Sequence, residues 1–131
     1  MAKKILIVDD EPDFLTIFTK VLGHAGYTVG SAIKGKDAID AYVQSLNNND
    51  PFSLILLDVK MPDINGLEVL KVIRKEEQSR GIPDGAGVPI IVFTGYEDPQ
   101  IDASFKRGRN DYMIKSRNNA ELLKIIEDKL K

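Results

Sequence analysis

Five polar side chains stand directly behind short apolar runs in this 131-residue sequence. Asp9 and Asp10 follow KILIV, Asp58 follows SLILL, Thr94 follows VPIIVF and Lys115 follows DYMI. A single acid behind such a run commonly caps a helix or faces solvent, and Asp10, ahead of EPDF, suits a capping role. Three carboxylates gathered at one place behave differently, because they repel one another unless a cation compensates. A hard divalent ion such as Mg2+ suits them, taking one or two carboxylates, a carbonyl and waters. Lys115 adds a point charge fit for a phosphoryl oxygen, and Thr94 a rotatable hydroxyl. A metal-binding acid, a carboxylate nucleophile, an amine and a hydroxyl are together the parts for phosphoryl transfer onto a side chain.

These residues can meet only if the elements carrying them place their ends together. Lys4 to Val8, Tyr27 to Ala32 (YTVGSA), Ser53 to Leu57, Val88 to Phe93 and Asp111 to Ile114 read as strands. The first, third and fourth are nearly continuous in Ile, Leu and Val, the pattern of strands covered on both faces in a parallel sheet. The second and fifth are more mixed, as edge strands are. Helical stripes lie between them. Phe14, Phe18, Val21 and Ala25 form one behind Pro12, with Gly23 and Gly26 as stops; Ala38, Tyr42 and Leu46 form another; Gly66, Val69, Leu70 and Ile73 a third. A weaker stripe at Ile101 and Phe105, between Pro99 and Gly108, predicts a fourth helix, and Leu122, Ile126 and Leu130 predict the last. Ser79 to Gly87 reads as a flexible loop. Five alternating strand-helix pairs predict a three-layer α/β/α sandwich with right-handed crossovers. Ligands of such sheets bind outside the carboxyl ends of the strands, which is where the five polar residues stand.

Composition narrows the functional classes. With 43% hydrophobic residues the chain suits one domain over residues 1–131. The formal charge of -2, from 18 basic and 20 acidic residues, gives no general attraction to nucleic acid or anionic membrane, so direct binding to either is not expected. Cysteine is absent, which removes disulfides, thiolate metal sites and cysteine nucleophiles. The apolar core of MAKKILIVDDEP, Ile5 to Val8, is shorter than the roughly 7 residues of a signal peptide, and no span of about 18 apolar residues occurs. The cytoplasm is therefore the expected compartment.

The ordered set LIVDDEP, LILLDVKMPDINGLEVL, IIVFTG and DYMIK resembles the receiver domain of two-component response regulators, and the resemblance covers essentially the whole chain. It implies a CheY-like (βα)5 fold with strand order 2-1-3-4-5, in which Asp9, Asp10 and Asp58 converge. By that resemblance Asp58 is the phosphoacceptor, taking a phosphoryl group from the phosphohistidine of a sensor histidine kinase or a histidine phosphotransfer protein. Asp10 and Asp58 are implied to ligate Mg2+ with the backbone carbonyl of Lys60, and Asp9 to act through a bound water. Thr94 and Lys115 would hold phosphoryl oxygens, and Tyr112 matches the aromatic residue that swings inward on activation. The signal would pass through the fourth helix, fifth strand and last helix to a downstream protein target or output domain.

The chain departs from this pattern at Ser116, where receivers usually have proline after the lysine, often with a cis peptide. A cis bond before a non-proline residue costs about 2.5 to 4 kcal/mol, so a trans Lys115–Ser116 bond is expected. Other chemistries compete less well. GSAIKGKD places Gly30, Gly35 and Lys36 as in a phosphate-binding loop, but Asp37 stands where the Mg2+-binding hydroxyl is needed, and Gly30 suits a crowded strand position better. A Mg2+-dependent aspartate-nucleophile phosphatase would use the same acids, yet the second acid common two residues after its nucleophile is missing; turnover of phosphorylated small molecules separates the two readings. A flavin phosphate would be repelled by DDEP. His24 reads as an exposed residue near the end of the first helix, Lys106, Arg107 and Arg109 as a solvated or partner-facing surface, and Met61 and Pro62 as shaping the loop that presents Asp58. Lys60 and Tyr96, each two positions past Asp58 or Thr94, flank the path of the attacking water implied by the family. Replacing Tyr96 with alanine is expected to shorten the lifetime of the phosphorylated form, read as the first-order decay of phosphoprotein; an unchanged rate counts against that role.

Overall fold

Strands without polar alternation have no face to leave in water, so a layer must cover each side. In the computed structural model, which describes residues 3–59, 61–83, 85–94, 110–114 and 119–130 (only the backbone at 94, 110–114, 119 and 121), both layers are present. β1 (Lys4–Val8), β2 (Thr28–Ala32), β3 (Leu54–Asp58), β4 (Ile90–Thr94) and β5 (Asn110–Ile114) form one parallel sheet of order β2-β1-β3-β4-β5. The mixed strands β2 and β5 are its edges, as expected. Helices α1 (Pro12–His24), α2 (Gly35–Asn47), α3 (Gly66–Ser79) and α4 (Asn119–Lys129) complete the described elements.

Successive strand residues point to opposite faces, which divides the core in two. Leu6, Val8, Ile55, Leu57, Ile90 and Val92 pack toward Ala38 and Tyr42 of α2 and Val69, Leu70 and Ile73 of α3. Ile5, Ile7, Leu54, Leu56, Ile91 and Phe93 pack toward Phe18 and Leu22 of α1 and Leu122 and Ile126 of α4. Phe14 stacks on Phe93 with ring centroids 5.0 Å apart, joining α1 to the sheet. Complete burial of each large apolar side chain stabilises by roughly 1.5 to 3 kcal/mol, which firmly holds the three inner strands, buried from Ile5 to Val8, from Leu54 to Leu57 and from Ile90 to Phe93.

The helix boundaries follow local chemistry. Pro12 opens α1, where its missing N–H is not needed, and Gly26, at φ 97°, turns the chain out of it. Leu22 takes the buried place at the end of that stripe, while Ala25 is the exposed C-cap. His24 is exposed at the last turn of α1, as expected. The predicted helix around residues 99–108 and the surface Lys106, Arg107 and Arg109 lie outside the described residues. The segment after α3, expected as a flexible loop, contains turns: Gly81 and Gly85 adopt positive φ, and the Ile82 and Ala86 amides donate to Glu77 and Pro83.

That segment is anchored by a buried acid that the apolar periodicity of α3 does not reveal. Glu77 is 3% exposed. It accepts hydrogen bonds from the Tyr42 hydroxyl at 2.7 Å, Arg74 Nη1 at 2.8 Å and the Val88 amide at 2.7 Å, so one carboxylate ties α2, α3 and the segment leading into β4 together. Burial, and then the hydrogen bond to Glu77, hold the Tyr42 hydroxyl protonated well above its ordinary range. Tyr42→Phe keeps the ring and removes one bond to a charged group. It is expected to lower unfolding stability by about 1.5 to 3 kcal/mol, measured by urea titration with an unchanged m-value.

Candidate functional site

Parallel pairing of β1 with β3 decides which residues meet at the carboxyl edge of the sheet. Val8 lies opposite Leu57, so the residues that follow, Asp9 and Asp58, emerge side by side. Asp9 stays in line because its amide donates to the Ala32 carbonyl at 3.0 Å, extending the β1–β2 ladder by one step. On the other side of β3, Asp58 lies opposite Phe93, which leaves Thr94 one position farther along β4. Thr94 in turn lies opposite Ile114, and Tyr112 opposite Val92. Lys115 follows Ile114 in sequence but lies outside the described residues, together with Lys60, Tyr96 and the Lys115–Ser116 bond.

Carboxylate oxygens of Asp9, Asp10 and Asp58, one from each, lie within 4.8 Å of one another. Asp9 is fully buried and Asp58 is 4% exposed, while Asp10 is open to solvent. Two like charges about 4 Å apart repel by about 4 kcal/mol at an effective dielectric near 20. A divalent cation relieves that repulsion. Mg2+ takes oxygen ligands, commonly one or two carboxylates, a carbonyl and waters, and carboxylate oxygens gathered this closely can converge on one such ion. The all-oxygen chemistry and the spacing therefore fit Mg2+. The capping role open to Asp10 is not taken up: the N-cap of α1 is Glu11, without a side-chain cap bond, and it is Asp9 Oδ1 that accepts from the Glu11 amide at 2.9 Å.

The loop after Asp58 is fixed at both of its ends. Asn65 caps α3, its Oδ1 accepting from the Leu67 amide at 2.7 Å. The next residue, Gly66, donates its amide to the Val59 carbonyl at 2.8 Å, and a Cβ there would collide with the Asp58 carbonyl oxygen, so glycine is required by close approach. The Asn65 cap has a sequence signal, an Asn three residues before Glu68 ahead of an apolar stripe.

Asp63 has no such local signal. Its Oδ1 accepts from the Gly35 amide at 2.8 Å and its Oδ2 from the Lys36 amide at 2.9 Å, so an acid of the loop after β3 caps α2. The N-terminus that resembled a phosphate-binding loop is thus taken by a carboxylate of the chain itself. Gly30, the first glycine of that motif, lies inside β2, where a Cβ would come within 3.1 Å of the Phe52 ring. The crowded-strand reading of Gly30 holds.

A doubly wound parallel α/β domain with an acidic, Mg2+-fitting cluster at the carboxyl ends of two neighbouring central strands is the class that this geometry defines. The chain belongs to the response regulator receiver domain family, which it matches over residues 5–127. Hybrid signal transduction histidine kinase L of Dictyostelium discoideum is 33% identical over 126 residues, and the match spans 95% of this chain and 7% of that protein. Response regulator protein TrrA of Thermotoga maritima, solved in complex with Mg2+-BeF, is 31% identical with a TM-score of 0.79, over 98% of this chain and 99% of that one. The structure of histidine kinase ThkA in complex with TrrA matches at 31% identity and a TM-score of 0.78, with 98% and 99% of the two chains covered. Chemotaxis protein CheY4 of Vibrio cholerae is 27% identical with a TM-score of 0.78, covering 98% of each chain. Among the described residues no helix is long and apolar enough to cross a membrane.

The Asp63 clamp has a pH signature. Its hydrogen bonds from backbone amides, that of Lys36 foremost, hold the carboxyl at about 2 against a smaller opposing effect of desolvation. An unfolded aspartate titrates near 3.9. The folded value is the lower one, so the stabilisation is complete above about pH 4 and is lost as pH falls toward 2. The stability advantage of the wild type over Asp63→Asn, from urea titrations at several pH values, is expected to be constant from neutral pH to about pH 5 and to vanish toward pH 2.

Proposed function

We propose that this chain is a phosphorylation-activated switch of a two-component phosphorelay in which Asp58 is the phosphoacceptor. The observation that carries this reading is the near-complete burial of Asp58 at the end of the central strand, 4% exposed, with its carboxylate grouped with those of Asp9 and Asp10. Likeness to a regulator solved with Mg2+-BeF and with a histidine kinase supplies the metal and the donor: Mg2+, and the phosphohistidine of a sensor histidine kinase or histidine phosphotransfer protein.

An oxygen of the Asp58 carboxylate attacks phosphorus. The bond from phosphorus to the imidazole nitrogen breaks, its electron pair leaves with the ring, and an acyl phosphate remains on Asp58. Asp10, Asp58 and the carbonyl of Lys60 hold the metal, with Asp9 reaching it through a water. Mg2+, when bound, offsets the negative charge of the carboxylates and the transferring phosphoryl oxygens. Rigid placement is the protein's own contribution: β3 cannot shift without disturbing residues from Leu54 to Leu57 that are wholly buried. The domain assists its own phosphorylation and later hydrolysis, with Lys60 and Tyr96 modulating the second step, and processes no diffusible substrate in turnover.

Phosphorylation replaces one negative charge by about two and adds acceptor oxygens. Thr94 and Lys115 hold those oxygens. Thr94 and Tyr112 occupy diagonal register positions on neighbouring strands, so a displacement of the first bears directly on the second. The aromatic residue then moves inward, and the equilibrium shifts toward the state that a downstream protein or output domain prefers.

The test is incubation with acetyl phosphate followed by intact-mass measurement. Wild type with Mg2+ is expected to gain one phosphoryl group, and both Asp58→Asn and wild type with a chelator to gain none. An unmodified wild type, or equal modification of the variant, overturns the assignment.

A further inference from the structure

We propose that Asp63 is a positioning residue for the metal site: by clamping the loop after Asp58 onto the N-terminus of α2, it sets the affinity for Mg2+ and links that helix end to loading of the site. The inference rests on the function proposed for Asp58 and its neighbouring acids, and extends it to a residue outside the acidic cluster.

The loop runs from Val59, buried beside the acceptor, to Asn65, the cap of α3. Local bonds fix its two ends, through the Gly66 amide on Val59 and the Asn65 cap. Its middle is fixed differently. Met61 and Ile64 rest against the core on the α2–α3 side, and both oxygens of Asp63 are engaged by consecutive amides of α2, 28 and 27 residues back along the chain. Mg2+ demands a nearly ideal octahedron and tolerates displaced ligands poorly, so movement of the loop that directly follows Asp58 weakens the grip on the ion. The favourable field at the start of a helix also suits the Asp63 carboxylate in this position.

Coupling of this kind is reciprocal. If the clamp favours the metal, the metal favours the clamp, and the two α2 amides report on it. Hydrogen exchange at Gly35 and Lys36 should slow when Mg2+ is added to the wild type. Because Mg2+ binding protects every amide that exchanges only by global unfolding, the sign of coupling is slowing at these two amides that is lost in Asp63→Ala.

The experiment uses the full chain near neutral pH. Mg2+ affinity is measured by calorimetry for wild type, Asp63→Ala, Asp63→Asn and Tyr42→Phe, and amide exchange by NMR with and without Mg2+. Asp63→Ala is expected to weaken Mg2+ binding by about tenfold, the lower end of the range for loss of a group supporting a metal ligand. Asp63→Asn should fall between it and wild type, since its amide offers one acceptor where the carboxylate offered two. Tyr42→Phe, destabilised at the Glu77 junction and not at the clamp, should bind as the wild type does. Wild-type affinity in Asp63→Ala overturns the proposal. So does a Mg2+-independent exchange rate at Gly35 and Lys36 in the wild type, or an equal loss of affinity in Tyr42→Phe. A wild type that takes up no Mg2+ at all instead removes the metal site itself, and this proposal with it.

Discussion

Mutual repulsion among three carboxylates at the end of a buried sheet is the constraint to which the rest of this molecule answers. Asp9 and Asp58 have almost no contact with bulk water, so solvent does little to screen them. The fold nevertheless brings them together, because the parallel register that sets Val8 against Leu57 leaves no other place for the next residue of each strand. Both strands are packed on both faces by helices, which gives the carboxylates no freedom to move apart. A site built this way favours a divalent cation.

The polypeptide immediately after Asp58 is held with comparable care. A glycine admits the Asp58 carbonyl at the start of α3, an asparagine caps that helix, and an aspartate ties the loop across to α2. In the same helical layer, Glu77 joins α2, α3 and the segment leading into β4 through a buried carboxylate. Hydrogen-bonded acids thus fasten the α2–α3 layer at two places, while those at the strand ends form a cluster of three. The difference lies in the surroundings: Asp63 and Glu77 each meet several N–H or O–H donors from neighbouring elements, whereas Asp9, Asp10 and Asp58 bring three carboxylates within reach of one another.

Much of the architecture was legible because each signal was local. Continuous Ile, Leu and Val in β1, β3 and β4 announced strands covered on both sides, and the more mixed β2 and β5 announced the edges. Four-residue spacing picked out Ala38 and Tyr42 of α2, and Val69 and Ile73 of α3, as core. The apolar pattern of α1 misplaced its last buried contact on Ala25, since a stripe cannot tell where a helix will leave the sheet. Strand limits shifted by up to two residues, as hydrogen-bond ladders and apolar runs need not end together.

The sequence by itself determined the alternating α/β elements, the family and the identity of the acids at the strand ends, because these depend on residue type and on spacing within one element. Tertiary structure alone decided the rest. That Asp63 caps α2 instead of facing water, that the glycine-rich start of α2 is occupied from within, and that Glu77 is a buried junction all follow from contacts between residues 11 to 35 positions apart. Charged residues carry no periodicity that distinguishes a solvated position from a buried or capping one. Only the packed chain shows which donors each acid meets.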